Sequence, residues 1–294
     1  MGGRFGSVIT AMATPFGEDG SLDLDGAQKL ARHLLDHGSD SLVVTGSTGE
    51  APTLSHQEKV DLYRAVVEAG EGGGKVIAGT GTYDTAETVE LSRQAKDAGV
   101  DALLVVTPYY NRPPQRGLIA HFTAVADATD LPNILYNIPS RTATLIEADT
   151  LLRLAEHPNI VAVKDATANF EMAGRIIKDA PGDFEVLSGN DWDTFALVCL
   201  GAQGVISVAS HLVGERMHEM IELIQTGDVA SGRKIHEDLL PIYKALFITS
   251  NPIPLKAALP MIGLPAGPPR LPLVPATEDE RATVRRALQD VGAL

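Results

Sequence analysis

Eight short aliphatic or β-branched runs punctuate this chain, and the gap after each has room for a helix. They are Val8–Ala11, Ser41–Thr45, Lys75–Ala78, Ala102–Thr107, Asn133–Tyr136, Ile160–Val163, Phe184–Leu187 and Gly204–Val208. Successive starts fall 20 to 34 residues apart. The intervening stretches carry helical periodicity. Asp25–His37 places Ala27, Leu30, Ala31, Leu34 and Leu35 on one face, and Ser55–Ala69 does so with Val60, Tyr63, Val66 and Val67. Thr85–Ala98, Pro114–Ala128, Ile146–Glu156 and Phe170–Asp179 repeat the pattern. Ser55 with Glu58 fits a capping box. Gly38, Gly99 and Gly201 stand near helix ends, where a left-handed cap is wanted.

Strand and helix in strict alternation predict a parallel sheet. The runs are continuously apolar, as strands are when both sheet faces are covered. An α/β fold of the (β/α)8 TIM barrel type accounts for the number of runs, their spacing and the chain length; a doubly wound open sheet is the alternative. The eighth unit closes near Gly227, so residues 1–227 are read as barrel. Residues 228–294 are read as a C-terminal helical extension, with helices over Val229–Thr249, Pro254–Met261 and Glu278–Asp290 and a Pro/Gly-rich linker, Gly263–Thr277.

Composition narrows the partners. The formal net charge is −14, which repels phosphate backbones and makes nucleic acid a poor partner. The longest apolar run, Phe195–Leu200, is far below the roughly 20 residues that a membrane span needs, so no membrane is expected. Cys199 is the single cysteine, which excludes an internal disulfide; its apolar neighbours predict a small buried hydrophobe. The segment Met1–Ser7 has no apolar signal core, and Gly6 stands where a myristoylation signal wants Ser or Thr. A cytoplasmic protein is expected.

In a barrel of this type chemistry gathers where the strands end. Lys164 closes the run Ile160–Val163. A lysine desolvated there has a lowered pKa, and its neutral amine can attack a carbonyl to form an iminium. The competing reading is a lysine reaching to solvent or pairing with Asp165. Tyr136 ends the preceding run, either as a proton shuttle for such an intermediate or as a core tyrosine with its hydroxyl at the rim. The loop Gly46–Glu50 offers two hydroxyls and backbone N–H groups to a small carboxylate, or is an ordinary tight turn with Glu50 near the next helix. Arg141, after a proline, is a carboxylate ligand or a surface arginine.

Other motifs fail. Gly70–Lys75 is followed by Val76 where a phosphate loop requires Ser or Thr, and Gly79–Gly81 lacks the third glycine of a dinucleotide fingerprint. His33 and His37 lack the following Glu of a zinc protease, and His211 and His218 are seven apart, so no metal site is expected.

Five ordered segments carry a resemblance. Gly46-Ser-Thr-Gly-Glu50, Val106-Thr-Pro-Tyr-Tyr-Asn111, Leu135-Tyr-Asn-Ile-Pro-Ser-Arg-Thr142, Val163-Lys-Asp-Ala-Thr167 and Gly204-Val-Ile-Ser-Val208 resemble the dihydrodipicolinate synthase / N-acetylneuraminate lyase family. The likeness runs from Gly6 to the final helix. It implies a homotetrameric barrel that binds pyruvate as an imine on Lys164, with no cofactor beyond that covalent bond. Tyr136 would be the general acid/base. Ser47, where members usually carry Thr, and Tyr110, reaching in from a neighbouring subunit, would complete a proton relay. Thr48 would hold the pyruvate carboxylate, with Gly189 and Ile206 contacting bound pyruvate. Arg141 would receive the carboxylate of L-aspartate-4-semialdehyde, giving 4-hydroxy-tetrahydrodipicolinate on the route to diaminopimelate and lysine.

The resemblance also locates a feedback site at Ala51, His56, Lys59, Tyr83, Glu87 and Tyr109. Lys59 replaces a usual histidine there and Tyr83 a usual asparagine. A fixed cation opposes a cationic ligand, so lysine inhibition is expected to be weak or absent. The alternatives are a pyruvate-dependent aldolase for a sugar acid or another aldehyde, and a non-catalytic small-ligand-binding module. A metal-dependent barrel would need His, Asp or Glu at several strand ends, which here carry mainly Thr, Ser, Tyr and Gly.

Overall fold

The computed structural model describes residues 3–294; the first two residues of the Met1–Ser7 segment lie outside the described part. The eight strands are β1 (Val8–Ala11), β2 (Ser41–Val44), β3 (Lys75–Gly79), β4 (Ala102–Val106), β5 (Asn133–Asn137), β6 (Ile160–Asp165), β7 (Glu185–Ser188) and β8 (Gly204–Ser207). All pair in parallel and in chain order, and β1 pairs with both β2 and β8. The sheet is therefore a closed barrel, which rules out the open doubly wound alternative. Helices α1 (Leu24–Asp36), α2 (His56–Gly70), α3 (Thr85–Asp97), α4 (Gln115–Asp127), α5 (Pro139–Thr142), α6 (Ala148–Leu154), α7 (Phe170–Asp179) and α8 (Thr194–Leu200) fill the crossovers, and α9 (Ser210–Gln225) follows β8. Helices α10 (Val229–Ala245), α11 (Ile253–Met261) and α12 (Glu278–Asp290) follow.

Alternation along each strand sorts side chains into two cores. Ile9, Val43, Ile77, Leu104, Ile134, Leu187 and Ile206 fill the barrel interior. Their neighbours Leu42, Val44, Val76, Leu103, Val105, Val186 and Val205 face the helices. The helix-facing core runs without a break into the extension, through Leu239, Ile242, Tyr243, Leu255, Leu259, Val284 and Leu288. Packing of this kind makes α10 to α12 part of the same solid, since burying their apolar faces removes barrel surface from water as well.

Local signals match the geometry at several places. Ser55 and Glu58 form a complete capping box at the start of α2. Gly38, Gly99 and Gly201 have φ of 92°, 88° and 113°, the left-handed region that only glycine enters cheaply. Other expectations need correction. The first extension helix stops at Ala245 rather than Thr249, and Pro139–Thr142 forms a single helical turn, α5, that its short length hid. Cys199 is exposed, not buried. The apolar run around it folds as α8, and at about 3.6 residues per turn such a run must turn some members outward. Leu197 and Val198 face in, while Cys199 and Leu200 face out. Among the described residues no helix is long and apolar enough to cross a membrane.

Candidate active site

Lys164 lies on β6 with its side chain inside the barrel mouth and 5% exposed. Register sets it opposite Tyr136 of β5 on one side and Leu187 of β7 on the other. Its ammonium nitrogen is 4.3 Å from the centre of the Tyr136 ring. It does not pair with Asp165, which points to the other face of the strand and accepts the Thr167 N–H at 2.8 Å. Burial is the main reason that the amine is pulled down to about 7; Asp191 opposes the shift and the Arg141 charge assists it. A lysine near 7 is substantially neutral at physiological pH and is therefore a nucleophile.

Tyr136 answers with the opposite shift. Burial pushes its phenol up to about 12, while the Arg141 charge and a hydrogen bond with Ser47 draw it back. The phenol thus keeps its proton and can donate it to an oxygen developing above Lys164.

The loop between β2 and α2 brings in Ser47 and Thr48. The Thr48 hydroxyl is buried and accepts a 2.9 Å hydrogen bond from the Asn251 side-chain amide. Arg141 is carried by α5, and its Nη2 donates to the Asn251 carbonyl at 3.3 Å. Asn251 thereby joins the two groups expected to bind carboxylates. Ser47, Tyr136, Arg141 and Asn251 line one cavity of about 620 Å³. Thr48, Lys164, Gly189 and Ile206 are not among the lining residues. Gly189 donates to the Asp165 carbonyl at 2.7 Å, and a Cβ there would lie 2.7 Å from that of Ala166, so the close approach of strands requires glycine. Ile206 packs with Tyr136 and Leu187 in the barrel interior.

Tyr110 stands apart. It is 90% exposed, with a φ of 73°, and does not line the cavity of its own chain. The cavity does extend outward past His56, Lys59, Tyr83, Glu87 and Tyr109. Glu87 is held there by His56 at 2.8 Å, and Tyr83 and Tyr109 meet edge to face at 5.3 Å. His33 and His37 stack on one another, with ring centres 4.0 Å apart.

Three groups escaped the sequence reading. Asn251 and Lys256 come from the extension, where nothing in a lone Asn-Pro or a lysine among apolar residues says what it will meet. Asp191, buried past the end of β7, accepts from the Ser207 hydroxyl at 2.6 Å and from the Ala209 N–H at 3.1 Å. Its signal was available, as an acid just after the Ser188–Asn190 strand end.

A barrel mouth that presents a buried neutral amine, a high-pKa phenol and a guanidinium is built for carbonyl chemistry on a carboxylate. The model of the dihydrodipicolinate synthetase family matches residues 4–291. The chain belongs to that family. A relative named 4-hydroxy-tetrahydrodipicolinate synthase, from Moorella thermoacetica, is 54% identical over 291 residues, covering 99% of this chain and 100% of the relative. One of the same name from Desulforudis audaxviator is 49% identical, with 99% of each chain covered. Among solved structures, DHDPS from Cyanidioschyzon merolae with lysine bound superposes with a TM-score of 0.98 at 44% identity, covering 99% of this chain and 100% of that one. The Acinetobacter baumannii dihydrodipicolinate synthase complexed with pyruvate gives a TM-score of 0.95 at 40% identity, with 99% of each covered. The dihydrodipicolinate synthetase fold therefore extends over essentially the whole of this chain.

Proposed function

We propose that this chain condenses pyruvate with L-aspartate-4-semialdehyde to 4-hydroxy-tetrahydrodipicolinate, through an imine on Lys164. The observation that carries the reading is the buried Lys164 amine, drawn down to about 7, against the ring of Tyr136. The neutral amine attacks the pyruvate carbonyl, and Tyr136 returns a proton to the carbinolamine oxygen so that it leaves as water. The iminium acidifies the pyruvate methyl group, and loss of a proton gives an enamine. The enamine carbon attacks the aldehyde. The amine of the semialdehyde then adds to the imine carbon and displaces Lys164, which closes the ring and frees the enzyme.

Thr48 and neighbouring N–H groups hold the pyruvate carboxylate, Gly189 and Ile206 shape its berth, and Arg141 receives the carboxylate of the semialdehyde. Ser47 passes the proton from Tyr136 toward Tyr110 of a neighbouring subunit in a homotetramer. The exposure of Tyr110 on a single chain supports that reading, since a side chain 90% open has nothing of its own to serve. No cofactor enters these steps. The test is pyruvate consumption with aspartate semialdehyde against cleavage of sugar acids. Turnover with the semialdehyde is expected; sugar-acid cleavage without it contradicts the assignment.

Lysine feedback is expected to be weak. Lys59 is buried beside the outer cavity, and the Glu87 carboxylate that a lysine amine would seek is already held by His56. Rates measured against rising L-lysine check this, and strong inhibition at low-millimolar lysine contradicts it.

A further inference from the structure

The loop carrying Ser47 and Thr48 is bounded by two residues in a conformation that their side chains resist. Thr45 has a φ of 57° and Glu50 a φ of 55°. A β-branched residue in the left-handed region is costly, and such residues persist only where their surroundings over-determine them. Both are buried, at 1% and 2% exposure, and each is fastened.

At the inner end the Thr45 hydroxyl lies 2.9 Å from the Gly79 carbonyl oxygen and 3.0 Å from the Tyr63 hydroxyl. Tyr63 reaches the same carbonyl at 3.0 Å. At the outer end Glu50 meets the Lys256 ammonium at 2.6 Å, with both side chains at most 2% exposed. The second Glu50 oxygen accepts the Arg270 N–H at 2.9 Å. Lys256 also donates to the Pro268 carbonyl at 3.2 Å and lies over the Phe16 ring at 4.1 Å. Arg270 is itself fixed by Glu58 at 2.6 Å and by the Thr53 carbonyl at 3.0 Å.

We propose that the buried Glu50–Lys256 ion pair is a positioning device for the reaction, holding residues 46–49 as a strained arch that offers Ser47 to Tyr136 and Thr48 to the substrate carboxylate. Glu50 contributes to the cavity wall, but both of its carboxylate oxygens are engaged, by Lys256 and by the Arg270 backbone N–H, and Lys256 does not line the cavity. The two act through the loop, and they join it to α11, so the extension helps to shape the catalytic mouth. A relaxed loop would let Glu50 leave the left-handed region and swing both hydroxyls away. The inference rests on the proposed imine chemistry, which the test separates from it.

The test is the double variant E50Q/K256M, which keeps the volume of both side chains and leaves no lone charge buried. Wild-type chain is first trapped with pyruvate and borohydride; failure to label it removes the functional reading, and amide exchange of residues 46–50 then decides the arch alone. The double variant is expected to melt as a folded protein and to be labelled at saturating pyruvate. Its KM for pyruvate should rise at least about tenfold, as for a small misplacement of binding groups, and amides 46–50 should exchange faster. If it does not fold, E50D replaces it, since it keeps both charges and the side-chain resistance to positive φ while pulling the carboxylate back from Lys256. A folded variant with wild-type KM and wild-type loop exchange overturns the proposal. So does one that loses thermal stability alone.

Discussion

At the scale of single residues, the proposed chemistry turns on two opposed shifts. Burial takes the Lys164 amine from an ordinary 10.5 down to about 7 and lifts the Tyr136 phenol to about 12. The rate of pyruvate adduct formation should therefore rise with pH through about 7 and level off above it, which stopped-flow or quenched trapping measures. Stability follows the same linkage. Between about 7 and 10.5 the unfolded chain binds the Lys164 proton and the folded chain does not, so this group makes the fold more stable as pH rises. Its stabilising contribution is complete above 10.5 and is lost as pH falls to about 7. Lys164→Met should thus be inactive yet more stable than wild type near neutral pH, with the difference narrowing by up to about 1.4 kcal/mol per pH unit toward alkaline pH. Denaturant melts across that range check it; a constant difference contradicts it. Arg141→Ala should still form the pyruvate adduct but lose most semialdehyde turnover, because we propose that the guanidinium receives the second substrate. Loss of the adduct itself would assign Arg141 to the first step instead.

Residues of this kind were legible because their place in the chain was. Lys164 and Tyr136 end neighbouring apolar runs, and parallel pairing of those runs sets them opposite one another. The sequence sets Glu50 near the next helix but not in an ion pair, since its partner, Lys256, lies in the extension and only the closed fold brings them together.

At the scale of elements, strands and most helices were readable from period and capping, since each signal is local. Val8–Ala11, Phe170–Asp179 and Glu278–Asp290 have the bounds that their patterns imply. The single turn α5, which aims Arg141, is too short for a period to register. Two glycines separate local preference from packing. In Gly79, at the end of β3, an added Cβ would lie 2.4 Å from the Thr45 carbonyl oxygen, while in Gly174, within α7, it would meet nothing within 4 Å. Gly79→Ala should cost about 1–3 kcal/mol and disturb the strained loop. Gly174→Ala should gain about 0.5–1 kcal/mol by restricting the unfolded chain. Thermal melts that rank the two variants in the opposite order contradict the packing argument.

At the scale of the whole molecule, the barrel and the extension share one helix-facing core, and both supply the catalytic mouth. A boundary near residue 227 marks the end of the repeat, and we propose that it is not a boundary of folding. Truncation there should yield a chain without cooperative melting, because α9 and the loop 46–50 would lose the partners that bury them. A sharp melt of the truncated chain contradicts this. The formal charge of −14 gives the reaction a second problem, as two anionic substrates must enter an acidic protein. Lys164 and Arg141 oppose that field locally, and we propose that a neighbouring subunit takes up exposed Tyr110. Tyr110→Phe should slow turnover without weakening binding of pyruvate, a split that separate measurement of kcat and KM reveals.

The covalent bond on Lys164 is the claim from which the rest follows. Incubation with pyruvate, reduction with borohydride and peptide mass mapping tests it most directly. One pyruvate-derived adduct per chain is expected, carried on the peptide containing Lys164 and absent from Lys164→Ala. No adduct, or an adduct on another lysine, contradicts it.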